Sequence, residues 1–158
     1  MRNLPARART IAVLLAAIAM SQSAGAQTKQ GAAKPHVSVY KTPTCGCCGK
    51  WVEHMQANGF AATTTNLPDL AEIKAKHKVP AQLQSCHTSL VGGYVIEGHV
   101  PADDIKRLLR ERPAIVGLAA PGMPAGSPGM DVPHAPAYDV IAFDKNGKTH
   151  VYATHTPH

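Results

Sequence analysis

The chain has 158 residues, of which 44% are hydrophobic and 16% charged, and its formal net charge is +6. This length fits one small domain with a modest core. The basic residues are scattered apart from "KRLLRER", which alternates with leucines as a solvated helix face does, so nucleic-acid binding has little support.

The N-terminal segment has the form of a secretory signal peptide. Three arginines precede an apolar run at residues 11–20, and the small-residue sequence "AGA" stands before Gln27. The apolar run is shorter than the about 20 residues that a spanning helix needs, so a signal anchor is the weaker interpretation. We predict that residues 1–26 are cleaved, that the protein is periplasmic, and that the mature chain has no membrane association. Cleavage removes three of 16 basic residues and none of the ten acidic ones, leaving a net charge of +3.

The mature chain opens with a polar leader and a first strand. Residues 27–35 are aperiodic, which predicts a flexible leader. "HVSVYKT", residues 36–42, alternates valine with polar residues and predicts a strand. After a cysteine-rich loop, Trp51 and Met55 fall at helical spacing and predict a helix that Gly59 ends.

The next elements alternate in type. "FAATTTNL" predicts a second strand, and "PDLAEIKAKHKV" predicts a second helix that ends before Pro80. "LVGGYVIEGHV" is typical of two strands joined by a glycine turn. "PADDIKRLLRER" has acidic residues at its start and basic residues at its end, the favourable chemistry for both ends of a helix.

The C-terminal part divides into an irregular stretch and a hairpin. "GLAAPGMPAGSPGMD", residues 117–131, is rich in Pro, Gly and Met and predicts no regular structure. "YDVIAFDKNGKTHVYAT" predicts a hairpin turning at Asn146-Gly147. The element order is that of a thioredoxin-like domain, so we predict an α/β fold with a central mixed sheet flanked by helices. The predicted domain covers residues 36–131, and the hairpin extension with its tail covers residues 132–158.

The cysteines carry the chemistry. Three of the four lie in "TPTCGCCGKW", residues 42–51, and the fourth is Cys86. Cys45 and Cys48 form C-x-x-C at the mouth of a helix, where backbone N–H groups stabilise a thiolate, as in a redox pair. Cys45 and Cys47 form C-x-C, which with Cys48 places thiolates close enough to share a soft metal such as Cu(I), or zinc. A framework of structural disulfides is the third interpretation, although a disulfide between adjacent cysteines would be strained.

Four further residues are candidate donors beside the thiols. His87 follows Cys86 and is either a ligand or a surface residue, and His99 could reach the same rim. Met123 and Met130 offer soft thioethers in an exported chain, although loop methionines are also ordinary packing residues. The histidines of the C-terminal tail are predicted to be solvent-exposed.

Three segments, in order, resemble the CopG-type periplasmic copper-resistance family, a thioredoxin-like group long classed as a domain of unknown function. They are "VYKTPTCGCCGKWVEHM", "VPAQLQSCHTSLVGGYVIEGHVPADDIKRLL" and "GLAAPGMPAGSPGM", within residues 36–131. The resemblance implies that Cys45, Cys47, Cys48 and Cys86 hold a multinuclear Cu(I) cluster. It also implies work in copper tolerance, with copper ions and periplasmic copper export or resistance proteins as partners.

Three functions therefore compete. The favoured one is a Cu(I)-binding protein whose thiolates bridge several copper ions, because a cluster uses all four cysteines, whereas a dithiol enzyme needs two. The second is an enzyme, either a thiol-disulfide oxidoreductase using Cys45 and Cys48 or a copper oxidoreductase cycling between Cu(I) and Cu(II). The third is a disulfide-stapled binding module. Neither catalytic turnover nor the number of copper ions follows from the residues.

Overall fold

The computed structural model describes residues 33–156. The predicted signal peptide and most of the predicted leader lie outside these residues. Within them, no helix has both the length and the apolar character to cross a membrane. Every peptide bond in the described part of the chain is trans, including the one that precedes Pro80.

Within residues 33–156, seven strands form one mixed sheet. They are β1 (His36–Lys41), β2 (Ala61–Asn66), β3 (His87–Val91), β4 (Tyr94–Gly98), β5 (Gly117–Ala120), β6 (Tyr138–Phe143) and β7 (Thr149–His155), and their order across the sheet is β2-β1-β3-β4-β5-β6-β7. The β1–β2 and β4–β5 pairs are parallel, and all other neighbours are antiparallel. The predicted α/β class, mixed sheet and C-terminal hairpin are confirmed, and the hairpin continues the sheet through β5–β6 pairing.

Three α-helices accompany the sheet in the described part of the chain. They are α1 (Gly46–Ala57), α2 (Ala71–Lys76) and α3 (Ala102–Glu111), and a short 3₁₀ turn spans Ala81–Leu83. All three were predicted, but α1 begins at Gly46, inside the stretch that was predicted to be a cysteine-rich loop. Gly46 and Cys47 carry no apolar signal, so the pattern alone could not place the first turn.

The core lies between the helices and the sheet. Trp51 and Met55 of α1 are fully buried, as are Ile105 and Leu108 of α3. Burying each such side chain contributes about 1.5–3 kcal/mol relative to leaving it exposed. The indole N–H of Trp51 donates to the carbonyl oxygen of Val100 at 2.9 Å, which satisfies its one polar group. The packed Trp51 fixes the turn of α1 next to the cysteines.

The prediction of irregular structure from residue 117 onward is wrong for its first four residues. Gly117–Ala120 forms β5, a buried strand between β4 and β6. A Cβ at Gly117 would collide with the backbone of Val95 on the neighbouring strand, so glycine is required at that position. The strand is short and lacks β-branched residues, so its pairing on both sides, rather than its propensity, makes it a strand.

Candidate functional site

The four cysteines converge at one end of the sheet. Cys45 caps the N-terminus of α1, Cys47 and Cys48 lie in its first turn, and Cys86 directly precedes β3. Their sulfur atoms all lie within 4.8 Å of one another. Antiparallel pairing of β1 with β3 explains this convergence, since its register sets Lys41 opposite His87. The loop after β1 is thereby brought beside the residue that precedes β3.

The thiols are not all in the same state. Cys45 and Cys48 are joined by a disulfide with a Cα–Cα distance of 5.4 Å, whereas Cys47 and Cys86 are free. The sulfur of Cys47 lies 3.6 Å from that of Cys45. The structure therefore describes the oxidised form of the C-x-x-C pair, with two thiols left beside it.

Cys86 lies among groups that control its proton. Burial raises the pKa of the Cys86 thiol to about 12, and the neighbouring Cys47 adds to the shift. Its sulfur is 3.0 Å from Nε2 of His99 and 3.4 Å from Nδ1 of His87. Cys86 is therefore a protonated thiol at neutral pH until a metal or another positive centre replaces the proton.

His99 is oriented for donation towards the thiols. Its Nδ1 lies 2.8 Å from the carbonyl oxygen of Pro128, which can only accept, so Nδ1 carries the ring proton. The lone pair of Nε2 then faces Cys86. Burial lowers the pKa of His99 and keeps the ring neutral, the form that binds metals. Both histidines were candidate donors from the sequence, and the ring of His99 lies nearer to the sulfur than that of His87.

His87 completes a second group of donors. It is fully buried, its ring centroid lies 4.5 Å from that of Trp51, and burial holds its pKa well below the usual value. Its Nε2 has no hydrogen-bond partner in the described part of the chain. The donor atoms of Cys48, Cys86, His87 and His99 also lie within 4.8 Å of one another. Two overlapping sets of soft and borderline donors therefore meet at Cys48 and Cys86.

The segment that carries the two candidate methionines runs against the first turn of α1. A Cβ at Gly129 would lie 2.8 Å from the carbonyl oxygen of Cys47 and 2.9 Å from the amide nitrogen of Trp51. Met130 follows this glycine and is half-buried, whereas Met123 is 40% exposed. Gly129 thus seats the segment beside the cysteine loop, and Met130 is the methionine closer to that contact along the chain.

Comparison with known proteins gives a family. A family model described as "Protein of unknown function, DUF411" matches residues 83–130. A solved structure named "Copper resistance protein copG- Form 2" is 41% identical with a TM-score of 0.74, and the match covers 78% of this chain and 99% of that one. This chain belongs to the CopG-type copper-resistance family. A second structure, named "Copper resistance protein copG- Form 1", is 42% identical with a TM-score of 0.73, over 79% of this chain and 100% of that one. No curated protein matches the chain.

This CopG-type chain also holds a buried polar network that sequence reasoning missed. The ammonium group of Lys74, on α2, forms a buried ion pair with Glu97. Burial raises the pKa of Glu97, and hydrogen bonds from its donors oppose that rise. The signal available in the sequence was an acidic residue inside the apolar strand "YVIEG".

The described tail histidines of this family member, His134, His150 and His155, belong to neither group of donors around the thiols. His134 and His150 are exposed, as predicted. His155 differs, because its side chain is only 31% exposed and its Nε2 lies 2.6 Å from a carboxylate oxygen of Asp104 on α3. His158 lies outside the described residues.

Proposed function

We propose that the protein binds Cu(I) through the thiolates of Cys45, Cys47, Cys48 and Cys86 and serves copper tolerance. The observation that carries this proposal is the meeting of four sulfur atoms, from two separate parts of the chain, within 4.8 Å of one another. Thiolate is the softest ligand among protein side chains and prefers Cu(I) over harder cations. Four thiolates this close, two of them on adjacent residues, suit bridging of more than one Cu(I) ion.

Copper is favoured over zinc on two grounds. The solved structures that resemble this chain at 41% and 42% identity are both named as copper resistance proteins. Structural zinc sites also use two pairs of ligands that are well separated in the sequence, whereas this chain has three cysteines crowded into four positions and a fourth far along the chain. The neutral rings of His87 and His99 add nitrogen donors at the Cys86 side of the site.

Copper binding requires the reduced protein. Opening the Cys45–Cys48 disulfide takes two electrons and two protons from a thiol reductant and yields a chain with four thiols. Each thiol that becomes a thiolate ligand then releases its proton. Because the pKa of Cys86 is raised to about 12, Cu(I) must displace its proton at neutral pH.

The site of action follows from the predicted export signal. We place the protein in the periplasm, where free Cu(I) and Cu(II) interconvert and thiols are prone to oxidation. Copper export or resistance proteins of the same compartment are its proposed partners, as donors or acceptors of the metal. A bound Cu(I) cluster would protect the four thiols from oxidation between transfers.

A second candidate function is thiol-disulfide exchange, and the Cys45–Cys48 disulfide favours it. Cys45 is half-buried at the N-terminus of α1, whereas Cys48 is fully buried. In the reduced protein the Cys45 thiolate would attack a substrate disulfide and expel one substrate thiolate. Cys48 would then attack the mixed disulfide, releasing the second substrate thiolate and leaving Cys45 and Cys48 joined.

One experiment separates the two functions. The reduced protein is loaded with Cu(I) without oxygen, copper is counted per chain in competition with a Cu(I) chelator, and thiols are titrated in the protein as purified. We expect more than one tightly held copper per chain, and much less in protein whose Cys45–Cys48 disulfide is kept intact. Absence of tight copper, together with fast reduction of a test disulfide, would reject copper binding and support thiol-disulfide exchange as the function of these cysteines.

A further inference from the structure

The Lys74–Glu97 pair is buried in a place where the copper proposal does not use it. The carboxylate of Glu97 is fully buried in β4, and the ammonium group of Lys74 reaches it from α2. Replacing a buried ion pair by apolar residues is often neutral or stabilising, so such a pair is weak evidence for a contribution to stability. Its contacts point to a different role.

Both members of the pair bind the backbone of Ser85, the residue before Cys86. The Ser85 N–H donates to Oε1 of Glu97 at 2.6 Å, and Nζ of Lys74 donates to the Ser85 carbonyl oxygen at 3.0 Å. That carbonyl belongs to the peptide bond whose nitrogen is the amide of Cys86. The pair therefore fixes the peptide planes on both sides of the Ser85 Cα, and with them the direction in which Cys86 leaves the chain.

The same pair also fixes the chain on the other side of Cys86. The hydroxyl of Thr88 donates to Oε2 of Glu97 at 2.7 Å, and Nζ of Lys74 lies 3.1 Å from that hydroxyl oxygen. Cys86 is thus held between two residues that share one clamp. Among residues 85–88, only Cys86 belongs both to the four-cysteine group and to the group that contains His87 and His99.

A glycine beside Glu97 provides independent support. Gly98 has φ +70°, and a Cβ there would collide with the Ser85 side chain and come within 2.8 Å of the carbonyl oxygen of Ala120. The Ser85 segment therefore lies closer to the end of β4 than any side chain would allow. Close backbone approach at Gly98 and the polar clamp at Glu97 act on the same residue.

We propose that Lys74 and Glu97 are positioning residues that aim the Cys86 thiol at the three cysteines at the start of α1. This inference rests on the proposed copper function, in which Cys86 supplies the thiolate from the second chain segment. Outer-shell groups that orient a ligand typically change metal affinity by about 10- to 100-fold when they are removed. We expect a loss of that size in Cu(I) affinity when the clamp is removed.

The test compares the double variant Lys74→Met/Glu97→Met with the single variant Lys74→Met. The double variant leaves no unpaired buried charge, so it removes the clamp without the penalty of a lone ion. Asp104→Asn is the matched control, because Asp104 is also a nearly buried carboxylate, and it is hydrogen-bonded to His155. Each protein is reduced, and Cu(I) affinity is measured by chelator competition without oxygen.

A second readout needs no copper. The rate at which iodoacetamide modifies Cys86 in the reduced metal-free protein is followed by peptide mass spectrometry, with Cys47 as internal reference. We expect the ratio of the Cys86 rate to the Cys47 rate to change several-fold in the clamp variants and to stay unchanged in Asp104→Asn. Circular dichroism and thermal unfolding show whether each variant is folded.

The outcomes are distinct. A folded double variant with reduced Cu(I) affinity and an altered alkylation ratio supports the positioning role. The role is overturned by a folded double variant with wild-type values of both, and equally by an unfolded one, since the pair would then serve the fold itself. If the wild-type protein holds no tight Cu(I), the copper function fails, and the alkylation ratio alone still decides whether the clamp orients Cys86.

Discussion

The cysteine end of the sheet and the C-terminal hairpin both carry histidines, but in opposite surroundings. At the cysteine end, His87 and His99 are fully buried, and both rings lie within 3.4 Å of the Cys86 sulfur. On the hairpin, His150 is exposed and His155 hydrogen-bonds Asp104. The same side chain is a desolvated neutral donor in one region and a polar surface group in the other. Burial, not residue type, decides which histidines can take part in thiol or metal chemistry.

Position in the sheet explains the difference. β3 and β4 have a neighbouring strand on each side, and His87, Glu97 and the flanking His99 are fully buried. β7 is an edge strand, and the side chains along it are mostly exposed or half-buried. A polar group on an edge strand keeps its water, so it needs no partner and gains no special reactivity.

The largest expected contrast is in copper binding. Cys86→Ser should abolish multinuclear Cu(I) binding while leaving the fold nearly intact, because it removes the thiolate supplied by the second chain segment. His150→Gln, on the exposed hairpin, should keep the full load. Copper counted per chain under chelator competition measures both. A Cys86→Ser protein that retains the wild-type load would refute the four-thiol site.

A second contrast tests how closely the segment before the C-terminal hairpin packs against α1. Gly129 and Gly122 both have positive φ, +85° and +68°, but only Gly129 has backbone atoms within 3 Å of a Cβ position. Gly122→Ala should lower the free energy of unfolding by about 1–2 kcal/mol through backbone strain. Gly129→Ala adds a collision with the first turn of α1 and should cost about 2–5 kcal/mol in all. Urea unfolding measures both; equal losses would show that the close approach at Gly129 does not matter.

The hairpin can be loosened without touching the thiols. The Asp104–His155 pair joins α3 to β7, and the ring of Tyr138 stacks on that of His155 at 5.3 Å. A double-mutant cycle of Asp104→Asn and His155→Gln should give a coupling of about 0.5–1 kcal/mol, the range for partly exposed pairs. The Cu(I) load of both variants should equal that of the wild type. A drop in copper load would instead tie the hairpin to the site.

The smallest expected effect is a pH dependence through His54. Burial lowers the pKa of His54 below 6.5, and its Nε2 accepts a hydrogen bond from the Ala102 N–H at the start of α3. Below pH 6.5 the unfolded chain therefore binds more protons than the folded chain, and stability falls as the pH falls. Between pH 7.5 and 5.5, His54→Gln should lose less stability than the wild type, by up to about 0.5 kcal/mol. Identical pH profiles in urea unfolding would argue against this account.

Much of the fold was predictable because its signals are local. Alternating valines predicted β1, helical spacing of Trp51 and Met55 predicted α1, and paired turn residues predicted both hairpins. The turn at residues 146–147 illustrates this locality: Asp144 accepts hydrogen bonds from the N–H groups of Asn146 and Lys148, all within five residues. Such preferences act between near neighbours and need no information about the rest of the chain.

The parts that were missed depend on residues far apart in the chain. β5 has weak strand propensity and exists because β4 and β6 pair with it on both sides. Nε2 of His99 faces Cys86 because the Nδ1–H of the ring donates a hydrogen bond to the carbonyl oxygen of Pro128, 29 residues away. Lys74 and Glu97 are 23 residues apart in the chain, and the residues around either one do not identify the other as its partner.

The sequence by itself therefore determined the types and order of most elements, the crowding of three cysteines at the start of α1, and the motifs that indicate the CopG-type family. The family resemblance grouped Cys86 with those cysteines, but only the tertiary structure decided how Cys86 is brought to them, which histidine faces it, and which buried pair holds its backbone. The physical reason is range. Periodicity, caps and turns act over a few residues, whereas strand pairing and burial bring together groups that are distant along the chain and set their protonation there.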